Sequence, residues 1–166
     1  MDALIIREAR PGDGSGLSAL HLDMGRYYVT LDPNDFHMPE AEGLTDALDP
    51  KAAAGNERLW LVADMNGQIV GAIIAHLQGP SSRARWQLQP WASETTIYID
   101  YLAVLQTHQR QGVATQLVAA AEAWGRGHGA VLSITDTYLR SPLSVPFWSE
   151  RQGYTRRAVV LHKSLR

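Results

Sequence analysis

A chain of 166 residues has the length of one compact domain with an ordinary core, and its 45% hydrophobic and 19% charged residues exclude the composition of a disordered protein. Fifteen Lys and Arg against seventeen Asp and Glu leave a net charge of −2, so no global positive field exists to hold nucleic acid or an anionic membrane. The absence of cysteine excludes disulfides, thiolate nucleophiles and Cys-ligated metal, so any catalysis must use oxygen, nitrogen or backbone groups.

The chain opens on Leu4 to Glu8, a short apolar run that reads as a strand and stops at Pro11-Gly12-Asp13-Gly14. It is too short for a signal-peptide core and follows no basic segment, and no apolar stretch approaches the roughly eighteen residues of a membrane span. A soluble, cytoplasmic protein without membrane contact is therefore expected. From Leu17, apolar or aromatic positions recur at three and four residues through Leu20, Met24, Tyr27 and Tyr28, which predicts a helix. Thr30 to Pro39 reads as a loop, and Ala41 to Ala54 as a weaker helix. Leu59-Trp60-Leu61-Val62-Ala63 and Ile69 to Ile74 flank Asn66-Gly67, a dipeptide that accepts two positive φ angles, so a tight β-hairpin is expected. Gly79 to Glu94 shows no period and reads as a surface loop, with Trp86 and Trp91 as a flap or a homodimer contact.

Thr95 to Val104, TTIYIDYLAV, is rich in β-branched and aromatic residues and reads as a central strand. By the two-residue period Tyr98, Asp100 and Leu102 share one face, with Ile97, Ile99 and Tyr101 on the other. Gln111 to His128 follows as a helix closed by Gly125, Gly127 and Gly129, then Ala130 to Thr135 as a strand, Ser144 to Gln152 as a short helix and Tyr154 to His162 as a last strand. The glycines at 125, 127 and 129 follow a helix rather than a strand, so they are not a dinucleotide fingerprint. The six histidines are scattered, and no metal site is expected.

The segment Gln109-Arg110-Gln111-Gly112-Val113-Ala114 sits between the central strand and the long helix. A glycine turn that opens a helix gathers unpaired backbone N–H groups at the positive end of the helix dipole, which makes an anion site. Gln109, Gly112 and Ala114 fill the pattern of Arg or Gln, two residues, Gly, one residue, Gly or Ala, so Tyr101 to Val118 resembles motif A of the GNAT acetyltransferase superfamily. Ser141-Pro142-Leu143-Ser144-Val145-Pro146-Phe147-Trp148, with Arg151-Gln152-Gly153-Tyr154, is similar to that family's Asn-x-x-Ala…Phe-Tyr…Gly-Phe segment.

The resemblance implies one α/β domain over residues 1–166: a mixed, mostly antiparallel twisted sheet with a splayed parallel strand pair and helices on both faces. It also implies acetyl-CoA as co-substrate. The backbone of Leu102, Ala103 and Val104 would pair with pantetheine, and a β-bulge would aim the N–H of Leu102 or Ala103 at the thioester carbonyl. Gln109, Arg110, Gln111, Gly112, Val113, Ala114 and Thr115 would hold the pyrophosphate, and Ser141, Ser144, Phe147 and Trp148 would complete the cofactor site. The activity implied is acetyl transfer to a primary amine by direct attack in a ternary complex.

For proton transfer, Asp100 is the first candidate base, acting through water, with His76, His108 and Glu94 as fallbacks. Tyr98 stands near the place where some members carry glutamate. Trp148 replaces the tyrosine that serves the family as general acid, which leaves Tyr138 as the candidate acid and Ser149 as the residue shifted into the tyrosine's place. Tyr27, Tyr28, Asp32, Asp35, Glu40 and Glu42 near the acceptor mouth favour a small cationic amine over a protein. A peptide N-acetyltransferase and a noncatalytic acyl-CoA-binding module are the alternatives.

Overall fold

The computed structural model describes residues 3–50, 57–163 and 165. The chain divides into two compact units, one ending at Asp136 and the other beginning at Thr137.

The first unit is built on a five-stranded sheet in sequential order, β1 (Leu4–Glu8), β2 (Arg58–Met65), β3 (Gln68–Gln78), β4 (Thr96–Val104) and β5 (Leu132–Thr135). All neighbours are antiparallel except β4 and β5, which are parallel. The β2–β3 turn has positive φ at both Asn66 and Gly67, the primed geometry that matches strand twist, and Asp64 Oδ1 accepts the Gly67 N–H at 2.7 Å.

Helix α1 (Gly14–Leu31) and helix α3 (Val113–Gly127) cover opposite faces of this sheet. Leu17 and Leu20 of α1 pack with Val62, Ala72 and Ala103, while a Cβ on the neighbouring Gly71 would stand 3.0 Å from Val113 and 3.1 Å from Leu117 of α3. Adjacent residues 71 and 72 point to opposite faces, so each helix reads one parity of the strands. Leu20, Ile73 and Leu117 are fully buried, each contributing about 1.5–3 kcal/mol. Gly125 lies inside α3, against Ile97, where a Cβ would meet it at 3.1 Å. The helix is instead closed by Gly129, with φ +81°.

An ionic network fastens the start of α1 to the hairpin. Arg7 donates to both carboxylate oxygens of Asp13, at 2.7 and 2.9 Å, and through Nε to Asp64 at 3.0 Å. Asp13 also accepts the Arg10 N–H, and its carboxyl is held below the usual carboxylate range, chiefly by the Arg7 hydrogen bonds. A depressed folded pKa contributes stability above the unfolded value of 3.8 that is lost as pH falls through the folded one. Asp13→Asn is therefore expected to lower Tm at neutral pH, by about 1.5–3 kcal/mol of stability. It should also flatten the loss of Tm below about pH 4. Thermal melts across pH check both.

Several sequence expectations change. α1 runs three residues beyond Tyr28 and ends at Asp32, which turns the chain by accepting the Asn34 N–H. The helix expected over Ala41 to Ala54 is the short α2 (Leu44–Leu48), with Pro50 two residues past its end; residues 51–56 lie outside the described ones. Asp49, just past α2, accepts the N–H groups of Gly12 and Gly14 at 2.9 and 2.7 Å. In the loop before β4, one-turn helices at Ala84–Trp86 and Pro90–Ser93 are joined by the Ser81 N–H to Ala92 carbonyl bond.

In the second unit, Ser144–Pro146 forms the single helical turn α4, and Phe147–Arg151 continues it as a π turn, with the Gln152 N–H donating to the Phe147 carbonyl. A π turn inserts one residue into a helical path, which accommodates the extra residue between Trp148 and Gly153. The strand expected over Tyr154 to His162 does not form. Val159, Val160 and Leu161 are contiguous rather than alternating, so the segment has no single face to bury, and all three are exposed.

Candidate active site

The β3–β4 register shows where the central strand departs from its alternating sequence. Ala75 pairs with Ile99 and Ile74 with Tyr101, so Asp100 is an extra residue on β4, a β-bulge. The bulge reverses the facing of everything beyond it. Tyr101, with Ala103, packs on the α1 side, and Leu102 pairs with Ile73 on the other face. The regular alternation of TIYIDYLAV conceals this.

The bulge turns the Asp100 carboxylate toward His76 of β3, whose Nδ1 lies 2.7 Å from Asp100 Oδ2. An ionised carboxylate only accepts, so His76 Nδ1 is the donor in this bond and Nε2 is left outside it. Both side chains are about one-third exposed, at 38% and 33%, and thus reachable by substrate. Tyr98, the register partner of His76, stacks on the imidazole with ring centroids 5.6 Å apart. The Tyr98 hydroxyl donates to Asp136 at 2.6 Å, and this bond above all, with burial, pushes its pKa up to about 12. Tyr98 is thus a fixed donor that braces His76 against β5, and no base at neutral pH. Asp136, just past β5, had no signal in the sequence beyond being a polar residue after a strand. Tyr98→Phe removes that donor from a part-exposed carboxylate, and a loss of about 1 kcal/mol in thermal stability is expected.

The parallel ladder between β4 and β5 ends at Ile99 and Thr135, where the Thr135 hydroxyl donates to the Ile99 carbonyl at 3.1 Å. β4 continues to Val104, so Asp100 to Val104 form an edge that β5 does not cover. The Leu105 N–H donates to the Val70 carbonyl and sets the phase of the antiparallel alternation. Leu102 and Val104 therefore direct N–H and C=O to the open edge, while Ala103 is turned to β3. Of the three residues expected to pair with pantetheine, Leu102 turns both backbone groups to this edge and Val104 does so with its carbonyl taken by the Gln109 side chain.

Beyond β4, a helical turn at Gln106–His108 leads into Arg110 and Gly112, both left-handed, with φ +61° and +83°. Left-handed residues on either side of Gln111 turn successive N–H groups toward one concavity, and α3 starts at Val113 with no acid in its first turn to neutralise the dipole. Gln109 and Gln111 spend their side chains on the loop, donating to the carbonyls of Val104 and Thr107 at 3.2 Å each. The Val113 side chain is buried on Gly71. Of the fallback bases, His108 lies in this loop beside Thr107 and Glu94 ends the turn before β4.

The acetyltransferase (GNAT) family profile matches residues 24–154. The chain belongs to the GNAT family. It is 35% identical over 65 residues to the N-terminal acetyltransferase A complex catalytic subunit NAA10 of Arabidopsis thaliana; the match takes in 39% of this chain and spans 28% of that relative's length. The tetramutant of BH1408 from Bacillus halodurans superposes with a TM-score of 0.78 at 22% identity, covering 97% of this chain and 99% of that one. Aminoglycoside N-acetyltransferase AAC(6')-Iy in complex with CoA gives 0.65 at 16% identity, over 99% and 97%. Both share the fold of this chain. No described helix is long and apolar enough to cross a membrane.

The remaining GNAT-implied residues lie in the second unit. Ser141 is buried and its hydroxyl accepts the Ser144 N–H at 3.1 Å, while the Ser144 hydroxyl accepts from Thr137 at 2.7 Å. Trp148 stands edge-on between Phe147 and Tyr154, and Ser149 donates to the Val145 carbonyl, so its hydroxyl serves the helical turn. The Ser141 N–H donates to the Tyr138 carbonyl, which closes the segment that carries Tyr138.

Proposed function

We propose that this GNAT protein transfers an acetyl group from acetyl-CoA to a small-molecule primary amine by direct attack in a ternary complex. The observation that carries the reading is the union, on one strand, of an uncovered backbone edge, a bulge that orients a His–Asp pair, and a left-handed glycine turn opening a helix. The helix end and the amides of Gln111 to Thr115 suit a pyrophosphate, and the outward groups of Leu102 with the Val104 N–H suit pantetheine amides. The Leu102 N–H is the donor available to a thioester oxyanion.

In this reading the amine nitrogen attacks the thioester carbonyl carbon, a C–N bond forms, and the C–S bond breaks. The proton leaving nitrogen passes to His76 Nε2, and Asp100, which holds Nδ1, is a positioning residue rather than the base. The CoA sulfur leaves as thiolate, near the pKa range of a free thiol, and takes a proton from water. The cytoplasm is the compartment that suits acetyl-CoA.

Acetyl-CoA at about 100 times its Kd is expected to add about 2.7 kcal/mol to stability, read as a rise in Tm exceeding that from adenosine. Thiol release on adding amines then separates an enzyme from a noncatalytic acyl-CoA module, the reading that Trp148 in the tyrosine position favours. A peptide acceptor is favoured by the match to NAA10. No rise in Tm at saturating acetyl-CoA rejects the cofactor assignment.

A further inference from the structure

A cavity of about 100 Å3 opens on the α1 face of the sheet, lined by Leu17, His21, Leu48, Trp60, Ile74 and Tyr101. Its walls are aliphatic and aromatic, with no carboxylate, Lys or Arg among them. Trp60, Ile74 and Tyr101 form one cross-strand row, and Arg58, His76 and Tyr98 form the next row on the same face. Two residues along a strand are about 7 Å, so a group in the cavity lies about that far from the His76 row. The bulge at Asp100 creates this arrangement, because without it Tyr101 would face α3.

The acids nearest in sequence do not make this a polycation site. Asp32 is buried and turned onto the Asn34 N–H, Asp49 holds the amides of Gly12 and Gly14, and Asp23 accepts the Gln106 N–H at 2.8 Å. The larger depression, about 370 Å3, lies between the start of α1 and the hairpin turn, bordered by Asp13, Gln68 and Leu105. Its helix-end amides at Gly12 and Gly14 are those already taken by Asp49.

We infer that the cavity holds the apolar body of the acceptor, and that the acceptor is a primary amine carried two or three carbons from a compact aromatic or branched aliphatic group. An apolar cavity of about 150 Å3 takes up benzene, and one of about 100 Å3 open on one side accepts a ring that is partly emergent. The linker then spans the 7 Å to the next row and brings the amine to His76 Nε2. A hydrated polyamine or aminoglycoside body has no partner in such walls and loses its own hydration there. The inference rests on the acetyltransferase reading for its chemistry, but the cavity stands without it.

The test has two independent readouts. In the first, kcat/KM for CoA release is compared for 2-phenylethylamine, 3-phenylpropylamine, ethanolamine and putrescine. The phenyl amines are expected to exceed the other two by at least about 100-fold, since several buried methylene equivalents separate them. Leu48→Trp, which fills the cavity from α2, should collapse that ratio, and Leu48→Ala, which enlarges it, should move the optimum to a larger ring. In the second, 2-phenylethylamine is titrated without cofactor while the indole N–H of Trp60 is followed by NMR; that group is buried with no acceptor among the described residues and reports on the cavity. A saturable shift of this signal supports the inference. Equal rates for phenyl and hydrophilic amines, unaltered by both Leu48 variants, overturn it while leaving the acetyltransferase reading intact. A saturable shift with no CoA release from any amine keeps the cavity as an amine site and removes the acetyltransferase reading instead.

Discussion

His76→Asn is expected to lower kcat/KM for acetyl transfer by about 10²–10⁴, the usual range for losing a positioned general base. Acetyl-CoA binding should persist, since its proposed contacts lie on the Leu102 to Val104 edge and the Gln111 to Thr115 turn. Asp100→Asn separates the two members of the pair. Its amide oxygen still accepts the Nδ1 proton, so the base is kept but less firmly oriented, and a smaller fall of at least about tenfold is expected. If Asp100 were itself the base, the order would reverse. Asp100→Asn would then be the more damaging change. Pre-steady-state acetyl transfer by the two variants distinguishes these outcomes, because it excludes product release from the measured rate.

The features legible in the sequence are those set by local chemistry. Asn66-Gly67 takes positive φ at both positions, as the dipeptide requires, and the hairpin around it follows. Gly112 marks the strand-to-helix turn because a left-handed backbone favours glycine. The bulge left no such mark. Asp100 stands in an unbroken alternation, and only its pairing against Ile74 and Ala75 shows that it is supernumerary. Everything that depends on that one residue was illegible with it, including the facing of Tyr101 and the His76–Asp100 bond. Asp136 and Gly125 were obscured differently, since a carboxylate after a strand and a glycine near a helix end have commonplace local roles. Their partners, Tyr98 and Ile97, are 38 and 28 positions away, beyond the reach of any periodicity. The contiguous Val159-Val160-Leu161 misled in the other direction. High β-propensity describes residues that suit a pleated surface, and it does not supply the neighbouring strand.

Gly112→Val is expected to reduce acetyl-CoA affinity by about 10–100-fold, the equivalent of losing one charge-assisted backbone hydrogen bond to the pyrophosphate. Nothing lies within 4 Å of the place a Cβ would take, so the substitution opens no clash in the core. Its cost arises from the backbone, because φ +83° is a conformation that a β-branched residue resists. The chain can respond in two ways. If residue 112 stays left-handed, the strain of about 1–2 kcal/mol appears as a lower Tm, and the new side chain stands in the open mouth of the turn, where a diphosphate must approach the amides. If it relaxes to negative φ, stability recovers, but the N–H groups of Val113 and Ala114 no longer converge with that of Gln111. Either path weakens the cofactor, so isothermal titration with acetyl-CoA should show the loss whichever is taken, and the accompanying melt tells which. Gly112→Ala, with a smaller side chain and no β-branch, should fall between wild type and valine in both measurements. Full affinity in the valine variant would mean that the diphosphate does not rest on this turn, and that the open edge of β4 carries the cofactor without it.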